Sequence, residues 1–144
     1  MSRLVYMNGK FVPEKEAKIS IFDSALMFGD MVFEMTRSFN KKQFKLHQHL
    51  ERLYASVKHV HIPLKVTINE MEKACYLTIE KNEPFFKEND EHRLMINVSR
   101  GPLSIYQEIF DGKLEPTVTI ADFPLKWTVQ GMGKLFDTGI NAVI

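Results

Sequence analysis

Two rhythms of apolar residues run along the chain. Residues 4–7 and 10–12 are short β-rich runs on either side of Asn8-Gly9. That pair suits a two-residue type I′ turn, because both central positions need positive φ. Residues 18–22 are a second strand candidate, with Ile19 and Ile21 on one face. Residues 23–30 read as an irregular loop, in which Asp23 and Ser24 suit turn entry and Gly29 permits an unusual backbone. A strand is expected over 31–39, a turn at 40–42 and a short antiparallel return over 43–45. In that strand, alternation sets Phe33, Met35, Arg37 and Phe39 on one face. The period then changes. Leu46, Leu50, Leu53, Tyr54, Val57 and Val60 recur at helical spacing, which predicts a helix over 46–61 stopped by Pro63. A second helix starts at Thr67 and Glu70, a capping box, with Val66 and Met71 placed for a hydrophobic staple. Asn82 can take a left-handed cap, and Pro84 prevents continuation. Residues 93–100 and 117–123 alternate as strands. Strands, two helices, then strands again predict an α+β fold, an antiparallel sheet with two helices on one face. Residues 139–144 read as the beginning of a further strand.

Composition narrows the class. The 144 residues fit one domain, and 44% hydrophobic with 26% charged residues is ordinary for a globular chain. A net charge of +1 argues against nucleic acid as the main partner. The single cysteine, Cys75, rules out an internal disulfide framework. No apolar stretch approaches the length that spans a bilayer, and the N-terminus has no secretory h-region. A cytoplasmic protein is the expectation.

Candidate chemistry is sparse in the pattern itself. No glycine-rich phosphate loop and no nucleophile elbow occurs. The pairs His47/His49 and His59/His61 lack the i, i+4 spacing of a helical zinc site, so no metal is expected. Cys75 falls on the apolar side of the second helix and reads as a buried thiol. Arg52 points away from the apolar stripe of its helix. It is either a solvated arginine or a guanidinium fork for a phosphate or carboxylate. Arg37, among large apolar groups, is either an edge residue reaching water or an anion site.

Four motifs in register then carry a resemblance. Asp23-Ser24-Ala25-Leu26-Met27-Phe28-Gly29-Asp30-Met31-Val32-Phe33-Glu34 resembles a signature of the class IV (fold-type IV) pyridoxal-phosphate-dependent enzymes. These include branched-chain aminotransferases, D-amino acid aminotransferases and aminodeoxychorismate lyases. The Asn8-Gly9 hairpin followed by Ala17, Ile19 and Ser20 is similar to the family's opening. Phe44-Lys45-Leu46, His49-Leu50-Glu51-Arg52-Leu53 and Ser56 resemble its arginine-bearing helix. Val98-Ser99-Arg100-Gly101 resembles its R-G strand end. The resemblance covers nearly the whole chain.

The resemblance implies the N-terminal domain of such an enzyme, residues 1–138, with 139–144 beginning a C-terminal domain that is missing. It implies pyridoxal 5'-phosphate as cofactor, with Arg52 at its phosphate and Phe28, Phe33 and Arg37 on the substrate side. The lysine that holds the cofactor covalently belongs to the family's second domain. Lys126 and Lys134 come too early and in the wrong context, so no catalytic residue is expected in this chain and the chain alone is expected to be inactive. The complete protein would be a homodimer that moves an amino group between an amino acid, branched-chain-like, and a 2-keto acid. Met35 stands where branched-chain enzymes usually have glycine. Phe33 replaces the tyrosine usual in the D-amino acid enzymes, and their R-x-H pair is absent from the residues after Gly101. The alternatives are a lyase of the aminodeoxychorismate type and a non-catalytic free-standing domain.

Overall fold

The computed structural model describes residues 2–143. Its strands are β1 (Leu4–Met7), β2 (Lys10–Pro13), β3 (Met31–Phe39), β4 (Lys42–Gln43), β5 (His92–Ser99) and β6 (Thr117–Pro124). They form one sheet in the order β2-β1-β6-β5-β3-β4, and every pairing is antiparallel. Helix α2 (Leu46–His59) lies over β3, and α3 (Ile68–Asn82) lies over β1 and β6. The expected α+β architecture is therefore the observed one.

Local chemistry explains the elements. Asn8 and Gly9 have φ of 44° and 87°, as the hairpin turn requires. Asn8 also ties the hairpin to β6, its Oδ1 accepting from the Val118 N–H at 2.6 Å. The capping box at α3 is complete: the Thr67 hydroxyl accepts from the Glu70 N–H, and the Glu70 carboxylate accepts from the Thr67 N–H. Leu46, Leu50, Leu53 and Val57 of α2 meet Met71, Ala74 and Cys75 of α3 over Leu94, Ile96, Val98, Val118 and Ile120 of the sheet. Burial pushes the Cys75 thiol up to about 12, so it is a core residue and not a nucleophile.

Several boundaries differ from the sequence reading. Residues 18–22 form no strand. The Ser20 hydroxyl accepts from the Phe22 N–H and the Ser20 carbonyl from the Asp23 N–H, so local turn bonds take the groups a ladder would use. Residues 23–30 contain a short helix, α1 (Ser24–Phe28), capped by Asp23 and closed by left-handed Gly29. The return strand is Lys42–Gln43, because the turn residues are Asn40 and Lys41, both with positive φ. Helix α2 stops at His59, and the Arg100 guanidinium takes the carbonyls of Val60 and His61 at 2.8 Å each. Asn82 is not left-handed. Its side-chain amide instead brackets Leu4, accepting from its N–H at 2.7 Å and donating to its carbonyl at 2.8 Å. Two further helices, α4 (Leu125–Gly131) and α5 (Gly133–Thr138), had no expectation behind them. Residues 139–143 are irregular and exposed, and Ile144 lies outside the described residues.

One buried cluster has a pH consequence. The His92 ring is fully buried, with Nδ1 2.9 Å from the Asp122 carboxylate and Nε2 2.5 Å from that of Glu83. With both carboxylates ionised, both nitrogens donate and the ring is an imidazolium. Burial is the largest single influence and opposes that charge, but the hydrogen bonds and charges of Asp122 and Glu83 together outweigh it, and the pKa is raised above the ordinary 6.5. Stability from this group is therefore complete below pH 6.5 and is lost as pH climbs through the raised folded value. Urea unfolding should show the wild type losing stability on that alkaline side. His92→Gln should cost about 3 kcal/mol at pH 6 and flatten the slope. An unchanged slope in the variant would remove His92 as its source.

Candidate functional site

The residues from Asp23 to Glu34 use their three acidic members as anchors. Asp23 is buried, accepts from the Ala25 N–H at 2.9 Å and accepts from the Thr117 hydroxyl at 2.6 Å. Asp30 pairs with Arg100 at 2.6 Å, and the same arginine holds the carbonyls beyond α2. Glu34 is the third. Alternation along β3 turns Glu34, Thr36 and Ser38 toward α2, where all three are buried.

A buried carboxylate is costly unless it is paired. Glu34 has two partners on α2. Arg52 approaches it side-on, Nε bonding Oε1 and Nη2 donating to Oε2 at 2.7 Å. His49 Nδ1 lies 2.8 Å from Oε2. The two sit three apart on α2 and so share a face. The hydrogen bond from Arg52 is the largest influence holding the Glu34 carboxyl below the usual carboxylate range, and the pairing raises Arg52 in turn. Glu34 is 6% exposed at the side chain, but Arg52 is 69% exposed. The arginine is thus both pinned and open to solvent. Side-on pairing uses Nε and one edge of Nη2. The end-on edge, Nη1 with Nη2, has no partner among the described residues. That edge matches two oxygens of a phosphate or a carboxylate.

A second cationic feature lies around the edge of β3. Arg37 and Arg93 face each other across the β3–β5 ladder, on the sheet face opposite the helices. Neither meets a carboxylate among the described residues. The Arg37 guanidinium lies 3.9 Å from the Phe39 ring centroid, and Arg93 lies against the Met35 sulfur. Directly opposed like charges cost stability, and an anion between them would recover it. A cleft of about 220 Å³ is walled by Met35, Arg37, Arg93, Phe44 and His49. A second, about 170 Å³, is walled by Lys45, Gln48, His49 and Arg52. His49 belongs to both, so the Arg52 fork and the arginine pair open onto adjoining spaces. A larger cavity, about 520 Å³, lies elsewhere, beside Asn8, Lys65 and Leu114, and holds none of these residues.

The structure brings Arg52 and Arg37 onto these adjoining clefts. Phe33 shares the open face with Arg37 but is 61% exposed and lines neither cleft. Phe28 ends α1, 66% exposed, and lines neither. Lys126 pairs with Asp90 at 2.5 Å. His47 bonds Glu72 on α3 at 2.9 Å, and no group of three metal-binding side chains occurs among the described residues. No described helix is long and apolar enough to cross a membrane. Sequence reasoning missed Glu34, His49 and Arg93. The signals were partial: His49 stands one turn before Arg52, and Arg93 alternates out of phase with Leu94, Ile96 and Val98, but Glu34, Thr36 and Ser38 form the polar side of β3, which hydrophobic alternation turns to solvent and the structure buries.

This fold, a six-stranded antiparallel sheet carrying a helix-borne arginine fork, is that of the N-terminal domain of fold-type IV aminotransferases. Residues 31–141 match the family described as "Amino-transferase class IV", and the chain belongs to it. Over 78 residues (54% of the chain, 27% of the relative) it is 44% identical to a putative branched-chain-amino-acid aminotransferase of Methanocaldococcus jannaschii. Over 133 residues (92% of the chain, 42% of the relative) it is 30% identical to a D-alanine aminotransferase of Staphylococcus epidermidis. It superposes with TM-score 0.70 and 29% identity on the branched-chain aminotransferase of the archaeon Thermoproteus uzoniensis with norvaline, covering 86% of this chain and 41% of that one. The chain thus spans less than half the length of the relatives it matches.

The opposed arginines make a prediction of their own. Arg93→Gln should leave the unfolding midpoint unchanged or raise stability by up to about 1 kcal/mol, because it relieves a like-charge pair. The same variant should weaken binding of a small carboxylate anion between the two arginines. Thermal unfolding and a titration with such an anion check both; a large loss of stability would mean the pair is structural.

Proposed function

We propose that this chain is the N-terminal half of a pyridoxal-phosphate-dependent aminotransferase, residues 1–138, with 139–144 leading into a second domain. The observation that carries the reading is the open end-on edge of Arg52, pinned beside a cleft that adjoins a second pair of arginines. The residues present fit the cofactor: Arg52 would hold its phosphate, with Lys45 and Gln48 on the same wall. Bound there, pyridoxal phosphate supplies an electron sink for bonds to the substrate's α-carbon.

The chain's own residues then bind and orient. Arg37 and Arg93 would take a carboxylate of the amino or keto acid, and Met35 would limit the room beside it. Phe28 and Phe33, both exposed in the single chain, would complete the pocket where the second domain or the partner subunit of a homodimer meets this face. The lysine that holds the cofactor covalently would lie beyond residue 144, so the chain alone would not catalyse transfer. The similar proteins are named as aminotransferases of both the branched-chain and D-alanine kinds, which supports transfer over the lyase alternative. A branched-chain-like substrate and a cytoplasmic location complete the reading.

Arg52→Lys tests it in the protein at its natural length. Lysine keeps the charge beside Glu34 but has no planar fork, so affinity for pyridoxal phosphate should fall by about tenfold or more while the fold holds. Borohydride reduction of the loaded wild type, followed by peptide mapping, should fix the cofactor to a lysine outside residues 1–144. Unchanged affinity in the variant, or a label on Lys126 or Lys134, would overturn the assignment.

A further inference from the structure

We propose that Glu34 is the positioning residue of this phosphate seat, a buried carboxylate that fixes Arg52 side-on so that Nη1 and Nη2 stand as a rigid fork. The inference rests on the cofactor reading above and adds what makes Arg52 effective.

An arginine on an exposed helix face has side-chain rotamer freedom to lose when it binds an anion. Arg52, 69% exposed at the side chain, would carry that cost into every binding event. Glu34 removes it in advance. Its Oε1 takes Nε, and its Oε2 takes Nη2 at 2.7 Å, which fixes the plane of the guanidinium. Glu34 is itself held on three sides. Its backbone is in the β3–β5 ladder opposite Ile96, its side chain is buried, and His49 binds Oε2 at 2.8 Å. The anchor is rigid because strand, core and helix all constrain it.

Charge alone argues the other way. A carboxylate beside an anion site repels the anion and neutralises the arginine that should attract it. If Glu34 acted only through its charge, Glu34→Gln would strengthen phosphate binding. If it acts by position, the same variant weakens it. Glutamine keeps the shape but sets an amide NH₂ against the Arg52 donors, which frees the guanidinium to turn away. The two effects have opposite signs, so one substitution separates them.

The experiment titrates the protein at its natural length with pyridoxal 5'-phosphate and with phosphate-free pyridoxal. For Glu34→Gln the affinity for pyridoxal phosphate should fall about tenfold, the loss of one charge-assisted bond. Affinity for pyridoxal should not change. In an Arg52→Lys background, Glu34→Gln should add no further loss, because there is no fork left to orient. Glu34→Asp keeps the charge and retracts it by one methylene, so it should also lose affinity; it serves as the second variant if the glutamine protein unfolds. Affinity for pyridoxal phosphate that is unchanged or raised in Glu34→Gln overturns the positioning role. Equal losses for pyridoxal and pyridoxal phosphate overturn it as well, since a loosened fold would weaken both. When Arg52→Lys still loses affinity, either of those results leaves the cofactor reading standing. When Arg52→Lys also binds normally, both fall.

Discussion

The Glu34 carboxylate lies inside the protein, and a charge in that position must be answered. The answer comes from α2, through Arg52 and His49, and it fixes how that helix sits on the sheet. The other anchors support the same placement. Arg100 ties Asp30, just before β3, to the carbonyls that follow α2. Leu46, Leu50, Leu53 and Val57 drive the adjacent face of α2 into the core. Apolar burial supplies most of the energy, on the order of 2 kcal/mol for each such side chain, and is indifferent to direction. The ion pairs supply the register.

The two faces of the sheet differ in how their charges are answered. Behind the helices lies a dry core with Cys75 and the buried His92 cluster, both fully occupied with structure. On the open face, Arg37 and Arg93 confront each other with no counter-charge among the described residues. A stable isolated domain gains nothing from that arrangement. An anion between the two would offset the repulsion, which is the role proposed for a substrate carboxylate.

The periodic parts of the fold were legible in the sequence. Helical spacing from Leu46 to Val57, the Thr67–Glu70 capping box and the alternation around Ile96 all predicted what is observed. The failures share a cause. Ser20, Asp23 and Asn82 spend their side chains on nearby or distant backbone, and hydrophobic pattern is blind to such bonds. The site was half legible. Arg52 stood out by resemblance, but amphipathicity alone left it open between a solvated arginine and an anion-binding fork, and its exposure fits either. What pattern could not supply was the partner: Glu34 lies 18 residues away on another element, and only the pairing of β3 with α2 joins them.

The most direct measurement is a crystal structure of the protein at its natural length loaded with pyridoxal 5'-phosphate. The phosphate should lie within hydrogen-bond distance of Arg52 Nη1 and Nη2, with Glu34 still on Nε and His49 still on Glu34. A phosphate bound away from α2, or an Arg52 swung off Glu34 to reach it, would contradict the arrangement described here.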